Sequence, residues 1–421
     1  MLDIGQIHRN EYELETFSDS SNDDDRLKYN IAIGEAPGRI HFLGELTPCQ
    51  KSKQAKSDPE SGFFLSAAID RYIHVAVSMR KDNSFRFYAA DLNERKRNTL
   101  VNLKYKREDR WANYLKPAIF LFTGLGYPMK GLNFSFCGDI PQQIGLASST
   151  AIEVAAATAL RSLLKIHIND MDLAYKLKEA HNDIFGKSTP LADYIAALCA
   201  RKDQFLVIDT LDSAGSNDST RGDVRLIQSP FARFRFLIID SRVPRFGIEG
   251  EINSRRSDIL KGLELLSKKR KGASFKDFAS SDLLEVLGNF PEQIRRRSIH
   301  VVDEIHRVND AADALERSDL ASLAKIIYHS HESLRDLYEI SCPEVDWLVK
   351  RAQEIEGAAG SRMTGLGFGG CTYTIIRREL VEEYKKRLED YERIFGFRPV
   401  IYEFKLAAKA RVIPSKKRVY A

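Results

Sequence analysis

The chain has 421 residues, of which 43% are apolar and 10% aromatic, enough for a packed core in one large domain or two smaller ones. Its net charge is +5, from 64 basic and 59 acidic side chains spread over the whole length. This excess is too weak and too dispersed to indicate nucleic-acid binding, and the basic runs at 268–271 and 416–418 are interpreted as solvated surfaces.

The five cysteines are widely spaced and form no Cys-x-x-Cys pair. The sequence therefore predicts neither a disulfide framework nor a zinc site. It also shows no signal peptide and no long uncharged apolar run. Together these features predict a cytoplasmic protein that does not bind a membrane.

The N-terminal half begins with a polar segment, residues 1–28, that carries the acidic stretch SDSSNDDDR and predicts a loose extension or an edge element. Residues 31–43 then predict two short strands broken by Ala-Pro-Gly, and residues 63–79 predict a strand with alternating side chains. Residues 107–125 predict a helix whose aromatic side chains belong to the core.

The central stretch, residues 138–160, reads GDIPQQIGLASSTAIEVAAATAL and joins a strand end to a helix that begins near Ser148. A helix N-terminus offers unpaired NH groups and the positive end of a dipole, which suits the phosphates of a nucleotide. Gly145 and the small Ala147 permit close backbone approach, and the hydroxyls of Ser148 and Ser149 can bind phosphate oxygens or a metal held by them. A serine that merely caps its own helix is an equally good interpretation of this loop alone.

The rest of the chain mixes helices and strands without a regular βαβ order. Helices are predicted at 171–185, 188–200, 254–267, 289–314, 320–330, 344–356 and 379–395, and strands at 205–209, 234–240 and 400–406. This mixture favours the α+β class.

Three segments stand out together: APGRIHFLGELT at 36–47, GDIPQQIGLASSTAIEVA at 138–155 and GSRMTGLGFGGCT at 360–372. In that order and at that spacing they resemble the three signature regions of the GHMP small-molecule kinases, and specifically the galactokinase family. Further segments, such as RWANYLKPAI and SHESLRDLYEISCPEVDWLV, also look like galactokinase sequence. The resemblance runs from about residue 29 to residue 406.

The resemblance implies a two-domain α+β GHMP kinase fold, with domains at 29–212 and 213–421 and the active site in the cleft between them. It also implies ATP with Mg2+ as the phosphoryl donor and a sugar hydroxyl as the acceptor. We therefore expect ATP-dependent phosphorylation of the anomeric hydroxyl of galactose or a related sugar. A monomer is expected rather than an obligate oligomer.

Phosphoryl transfer requires a protein to position two reactants and to stabilise charge on the migrating group. By the resemblance, Asp193 matches the family's catalytic aspartate, and Arg39 matches the arginine that lies near this aspartate and the transferred group. The guanidinium would keep the carboxylate ionised. Both residues, together with Glu45, are expected to contact the sugar. The alternative interpretation of Asp193 is a carboxylate on a helix surface, and that of Arg39 is a structural salt bridge.

The resemblance also assigns the phosphate loop. It gives phosphate binding to Gly145, Leu146, Ala147, Ser148 and Ser149, and a role as Mg2+ ligand to Ser149. The family's Mg2+ carboxylate lies twelve residues before the catalytic aspartate, where this chain has His181. We expect Mg2+ to be held by Ser149, the phosphates and water, or else to be bound more weakly.

Several other positions depart from the family pattern. In the phosphate loop, Ala147 replaces a serine and Gln143 a glycine, and Leu366 replaces a small residue in the third motif. On the sugar side, polar residues usual in the family are replaced at Leu46, Pro48 and Ile252, and Pro190 stands where the family has a glycine that contacts the sugar. Loss of these hydrogen-bond partners is expected to weaken or redirect recognition of galactose.

Two other functions stay open. The altered positions favour a catalytically weak sugar or nucleotide sensor that keeps the kinase fold, whereas the intact pair Arg39 and Asp193 disfavours it. A GHMP kinase for another acceptor, such as a mevalonate-like acid, is disfavoured by the galactokinase-like segment at 330–349. The kinase hypothesis requires that Arg39 and Asp193 meet in the cleft beside the phosphate loop.

Overall fold

Two β-sheets organise the described part of the chain. The computed structural model describes residues 3–12, 31–45, 61–127, 129–142, 144–210, 223–269, 274–279, 281, 288 and 290–414. The strands are Ala32–Leu43 (β1), Phe63–Met79 (β2), Ser84–Ala89 (β3), Glu94–Thr99 (β4), Leu132–Gly138 (β5), Gln204–Asp209 (β6), Asp223–Gln228 (β7), Phe234–Asp240 (β8), Ala358–Thr364 (β9), Cys371–Arg377 (β10), Val400–Phe404 (β11) and Arg411–Ile413 (β12). The α-helices are Ile4–Glu11 (α1), Lys116–Gly124 (α2), Ser148–Leu163 (α3), Asp170–Phe185 (α4), Leu191–Cys199 (α5), Glu249–Lys269 (α6), Glu292–Glu316 (α7), Leu320–Asp336 (α8), Pro343–Gln353 (α9), Val381–Arg387 (α10) and Asp390–Phe395 (α11).

The first sheet has the order β12-β1-β2-β5-β3-β4, and β2 also pairs with β6, which pairs with β7. Only the β3–β5 pair in this order is parallel. Strands β7 and β12 follow the predicted domain boundary at residue 212 and nevertheless pair with strands of the N-terminal half. The two-domain boundary itself stays a prediction.

Strand β1 is the scaffold of the first sheet, and it is one continuous strand. The prediction of two short strands broken by Ala-Pro-Gly is therefore wrong. The register of β1 against β2 shifts between Pro37 and Gly38, which marks a β-bulge. Proline has no NH to donate, and the bulge accommodates it without ending the strand.

Helices cover both faces of this sheet. Helix α3 packs so closely on β1 that a Cβ atom at Gly34 would lie 2.0 Å from the Ala155 carbonyl oxygen. On the other face, Ile4 and His8 of α1 are buried against β2 and β5. The expectation of a loose extension or an edge element is wrong for residues 4–11, which form a helix on the face of the sheet. Residues 13–28 lie outside the described ranges.

The second sheet has the order β11-β8-β10-β9, and helices α8 and α9 pack against β9. It meets the first sheet at Phe42 of β1, whose ring lies 4.9 Å from that of Tyr373 and 5.9 Å from that of Phe236. The Tyr373 hydroxyl also donates to the Phe42 carbonyl at 2.8 Å. The two halves are thus joined by packed aromatic rings rather than by a linker alone.

Two predicted helices are interrupted. Residues 107–125 begin as a 3-10 helix, Arg107–Leu115, in which Arg110 has a φ of 45°, and become α-helical only at α2. The prediction of one helix at 379–395 is also wrong, because α10 and α11 are separate helices. The sequence has no glycine or proline at that break and so gives no local signal for it. Within the described ranges, no helix has the length and apolar character needed to span a bilayer.

Candidate active site

A cavity of about 460 Å3 opens between the two halves of the chain. The first half contributes residues of β1, the loop before α3 and the first turn of α5, and the second half contributes Arg245, Arg256, Gly365 and Leu366. The cavity therefore brings together all three motifs identified in the sequence.

Arg39 and Asp193 form a bidentate ion pair in the wall of this cavity. Arg39 Nε lies 2.7 Å from Asp193 Oδ1, and Arg39 Nη2 lies 2.9 Å from Asp193 Oδ2. Arg39 comes from β1 and Asp193 from the first turn of α5, and both side chains are buried. The predicted meeting of these two groups, 154 residues apart, is confirmed.

The electrostatics of the pair keep the carboxylate charged. Burial opposes ionisation of Asp193, but the charge of Arg39 and the hydrogen bonds from His41 and Arg39 outweigh it and hold the pKa of this carboxyl well below its usual range. The remaining guanidinium nitrogen, Arg39 Nη1, donates to the Gly145 carbonyl at 2.7 Å. Arg39 thus ties the carboxylate to the start of the phosphate loop.

The phosphate loop leads into α3 with its backbone NH groups uncapped. Ala147 occupies the N-cap position in the left-handed conformation, with a φ of 57°, and no side chain caps the helix. The interpretation of this loop as a serine capping its own helix is therefore wrong, since Ser148 lies inside the helix. Gly145, with a φ of 86°, and residues 146–149 line the cavity, and their binding of phosphate stays a prediction. The free NH groups and the helix dipole make this end of the cavity suitable for an anion.

Glu45 lines the cavity but is held by the second half of the chain. Its carboxylate accepts from the NH of Gly365 at 3.0 Å and from Thr364 Oγ1 at 3.2 Å, and it lies 3.3 Å from Arg362 Nη1. Arg362 is fully buried and also pairs with Glu304 of α7 at 3.1 Å. Glu45, which the sequence predicts to contact the sugar, is therefore also part of an ion-pair network between the two halves.

His181 is hydrogen-bonded to the buried carboxylate of Glu153. Its Nδ1 lies 2.7 Å from Glu153 Oε1, and the hydroxyl of Tyr194 donates to Glu153 Oε2 at 2.6 Å. The His181 ring stacks on Phe185 at 4.4 Å. Burial raises the pKa of Glu153, against the opposing effect of His181. Within the described residues no group of three or more His, Cys, Asp and Glu side chains is arranged to hold a metal ion.

The positions that depart from the family pattern, on the sugar side and in the other motifs, are only partly visible. Pro190 and Leu366 line the cavity, whereas Ile252 in α6 is not among its lining residues. Leu46, Pro48 and Gln143 lie outside the described residues.

Sequence reasoning missed several residues of the cavity wall. His41, Phe64, Ser188, Thr189 and Arg245 line it, and His41 also contacts Asp193. The alternation of side chains along β1 could have indicated His41, because it lies two positions after Arg39 and therefore on the same face of the strand.

Comparisons with known proteins identify the family and the fold. The GHMP kinases N terminal domain family matches residues 113–201, and the GHMP kinases C terminal family matches residues 311–392. Galactokinase from Roseiflexus sp. is 32% identical over 88% of this chain and 90% of its own, and galactokinase from Thermotoga maritima is 30% identical over 84% and 94%. The crystal structure of Lactococcus lactis galactokinase complexed with galactose matches the fold with a TM-score of 0.79 at 24% identity, covering 91% of this chain and 95% of that one. The predicted two-domain α+β fold is thereby confirmed, and the chain belongs to the galactokinase family of the GHMP kinases.

Proposed function

We propose that this protein transfers the γ-phosphoryl group of ATP to the anomeric hydroxyl of galactose or a related sugar. The observation that carries the proposal is the bidentate pair of Arg39 and Asp193 in the cavity wall, tied by Arg39 Nη1 to the phosphate loop at Gly145. A carboxylate, a fixed cation and an anion-binding loop in one cavity are the parts that phosphoryl transfer requires.

Asp193 orients the acceptor in this proposal. It is ionised, so it accepts a hydrogen bond from the sugar hydroxyl and aligns the hydroxyl oxygen with the γ-phosphorus. Because its pKa is held low by Arg39, Asp193 is a weak base, so the hydroxyl proton moves to Asp193 Oδ2 only as the oxygen–phosphorus bond forms and the bond from the γ-phosphorus to ADP breaks. Arg39 places its charge beside the migrating phosphoryl group and stabilises the negative charge that this group carries.

The triphosphate lies along the loop of residues 145–149, where NH groups and the positive end of α3 receive its oxygens. Mg2+ prefers oxygen ligands and retains several waters. Among the described residues, the carboxylates in the cavity lining are those of Asp193 and Glu45, which are already bonded to Arg39 and Arg362. Of the hydroxyls in the same lining, the one that the family resemblance assigns to Mg2+ is that of Ser149, and the ion would neutralise phosphate charge. This donor set fits Mg2+, with phosphates and water completing the shell.

The identity of the acceptor is supported by the relatives and by the cavity wall. Relatives that span most of the chain are named galactokinase, which favours galactose. Beside the hydroxyls of Ser188 and Thr189, the wall contains the apolar side chain of Pro190, one of the sugar-side departures from the family pattern. This apolar group favours a related sugar that needs fewer hydrogen-bond partners.

A coupled assay of ADP release over a panel of sugars tests the proposal. The panel contains galactose, 2-deoxygalactose, galactosamine, glucose and mannose, and phosphorus NMR identifies the phosphorylated position. We expect turnover with galactose or one of its analogues, an anomeric phosphate as product, and almost no turnover in Asp193→Ala. Absence of turnover with every sugar, or full activity in Asp193→Ala, contradicts the proposal. Binding of ATP and sugar without turnover would instead indicate a sensor.

A further inference from the structure

His41 lies directly beside Asp193, and none of the steps proposed above uses it. It follows Arg39 by two positions on β1, so both side chains project from the same face of the strand. His41 Nε2 lies 2.9 Å from Asp193 Oδ1, and His41 Nδ1 lies 2.6 Å from Ser66 Oγ. The residue is 2% exposed, so both contacts are shielded from water.

The chemistry of the three groups fixes the hydrogen positions. Ionised Asp193 can only accept, so His41 Nε2 carries a hydrogen and donates it. Burial and the charge of Arg39 lower the pKa of His41, so the ring is neutral and Nδ1 accepts from the hydroxyl of Ser66. Ser66 is the direct cross-strand partner of His41 on β2. The hydroxyl of Ser66 therefore stabilises the tautomer in which His41 Nε2 carries the hydrogen.

The two oxygens of Asp193 differ as a result. Oδ1 accepts from Arg39 Nε at 2.7 Å and from His41 Nε2 at 2.9 Å. Among the described residues, Oδ2 accepts one hydrogen bond, from Arg39 Nη2 at 2.9 Å. A carboxylate offers about four acceptor positions, two on each oxygen. Oδ1 is therefore filled, and Oδ2 keeps one open position.

We propose that His41 is a positioning residue that locks the Asp193 carboxylate and leaves only Oδ2 for the acceptor hydroxyl. The inference rests on the proposed function, in which Asp193 orients that hydroxyl. Without the imidazole donor, Arg39 alone holds the carboxylate, and Oδ1 gains an open position that competes for the hydroxyl or for water. Misalignment of this kind lowers kcat, because it affects the reacting geometry more than the binding of ATP.

The pH profile offers a readout that a purely structural role would not change. The charged groups that face His41 are Arg39, Asp193 and, farther away, Glu45, and its other neighbours are the hydroxyl of Ser66 and the ring of Phe64. Protonation of His41 would add a second cation beside Arg39 and remove the acceptor of the Ser66 hydroxyl. We therefore expect kcat to fall on the acid side, below the ordinary histidine pKa of about 6.5.

Three variants separate positioning from packing. His41→Phe keeps a ring beside Phe64 but removes the donor, and we expect kcat to fall about 30-fold with the KM for ATP unchanged within about twofold. His41→Gln restores a donor of similar reach that does not titrate, so we expect it to recover most of kcat and to lose the acid limb. Ser66→Ala removes the hydroxyl that holds His41 in one tautomer, and we expect a loss of kcat between those of His41→Gln and His41→Phe.

His300 supplies the matched control, because it is another buried histidine bonded to a serine, Ser333, at 2.8 Å. His300→Phe is expected to change the melting temperature but not the pH profile. Wild-type kcat and pH profile in His41→Phe would overturn the inference, as would equal losses of kcat in His41→Phe and His41→Gln. Activity retained in Asp193→Ala would instead overturn the proposed function. An inactive Asp193→Ala with a fully active His41→Phe would refute only the role of His41.

Discussion

Glu45, just beyond the end of β1, pairs with Arg362 of β9 across the two halves of the chain, although 317 residues separate them. The same guanidinium is shared with Glu304, whose pKa is held below its usual range because the charges of Arg362 and Arg307 outweigh its burial. Ser330 also donates to Glu304 at 2.8 Å. One buried cation therefore serves two buried carboxylates from different parts of the chain.

Replacing this cation should strongly destabilise the protein. Arg362→Met keeps much of the side-chain volume but removes the cation that pairs with Glu45 and leaves Glu304 with Arg307 alone, at 2.8 Å. Removal of one member of a buried ion pair lowers the free energy of unfolding by about 3–5 kcal/mol. Denaturant unfolding measures the loss. Arg393→Ala is the control, since Arg393 is 78% exposed in its ion pair with Asp390 and its removal should change the midpoint very little. A wild-type midpoint for Arg362→Met would show that the network does not stabilise the fold.

Arg39 should not tolerate replacement by lysine if it acts as proposed above. Arg39→Lys keeps the charge, but one ammonium group cannot reproduce the two parallel bonds to Asp193 and the third bond to the Gly145 carbonyl. We expect kcat to fall about 100-fold or more, with a smaller change in the KM for the sugar. Steady-state kinetics with both substrates varied test this. Near wild-type kcat in Arg39→Lys would mean that charge alone suffices.

The local pattern of the sequence predicted most elements of the fold, and the resemblance predicted the pair Arg39 and Asp193. Other features depended on tertiary contacts that no local pattern encodes. The partner of Glu45 lies 317 residues away, so its ion pair with Arg362 could not be read from either motif. His41 was missed because an apolar strand context makes a lone histidine look like a core residue.

The wrong assignments have similar causes. Helix α1 has only eight residues, and its inward side chains include His8, so its sequence looks polar although the helix is packed. The sequence predicts two strands in place of β1 because proline and glycine normally end a strand, whereas the bulge at Pro37 keeps this strand paired with β2. In both cases packing against the sheet outweighed the local signal.

Gly145 should be needed for ATP binding through its backbone conformation. With a φ of +86°, it lies in the left-handed region, and a Cβ atom there would lie 3.6 Å from Gly365 Cα. Gly145→Ala strains the loop by roughly 1 kcal/mol and shifts the NH groups of the proposed phosphate site. We expect the KM for ATP to rise about tenfold with little change in the KM for the sugar.

Gly126 provides the control for this prediction. Its φ is +84°, nearly the same as that of Gly145, and an added Cβ would meet no atom within 4 Å. Gly126 follows α2 and is not among the lining residues of the cavity. Gly126→Ala should therefore have a similar stability change with an unaltered KM for ATP. Equal KM values in the two variants would show that the loop conformation does not govern nucleotide binding.

Docking of the N-terminal helix should depend on pH through His8. This side chain is fully buried, and its ring nitrogens lie 2.9 Å from the hydroxyls of Ser78 and Ser135. Burial, assisted by the charge of Arg9, lowers the pKa of His8 to about 3. The unfolded or undocked segment, with an ordinary pKa of about 6.5, binds a proton more readily, so stability rises with pH between these two values. Acidification from pH 7.5 to pH 4 should weaken docking by roughly 3 kcal/mol.

Hydrogen exchange of residues 4–11 as a function of pH measures this effect, after correction for the intrinsic exchange rate at each pH. Wild-type protection should fall below pH 6.5, while the sheet beneath remains protected. His8→Phe cannot titrate, so its docking, although weaker because two serine hydroxyls lose their partner, should vary little with pH. His306→Gln on the exposed face of α7 is the control and should follow the wild type. The same pH dependence in His8→Phe as in the wild type would assign the effect to another group.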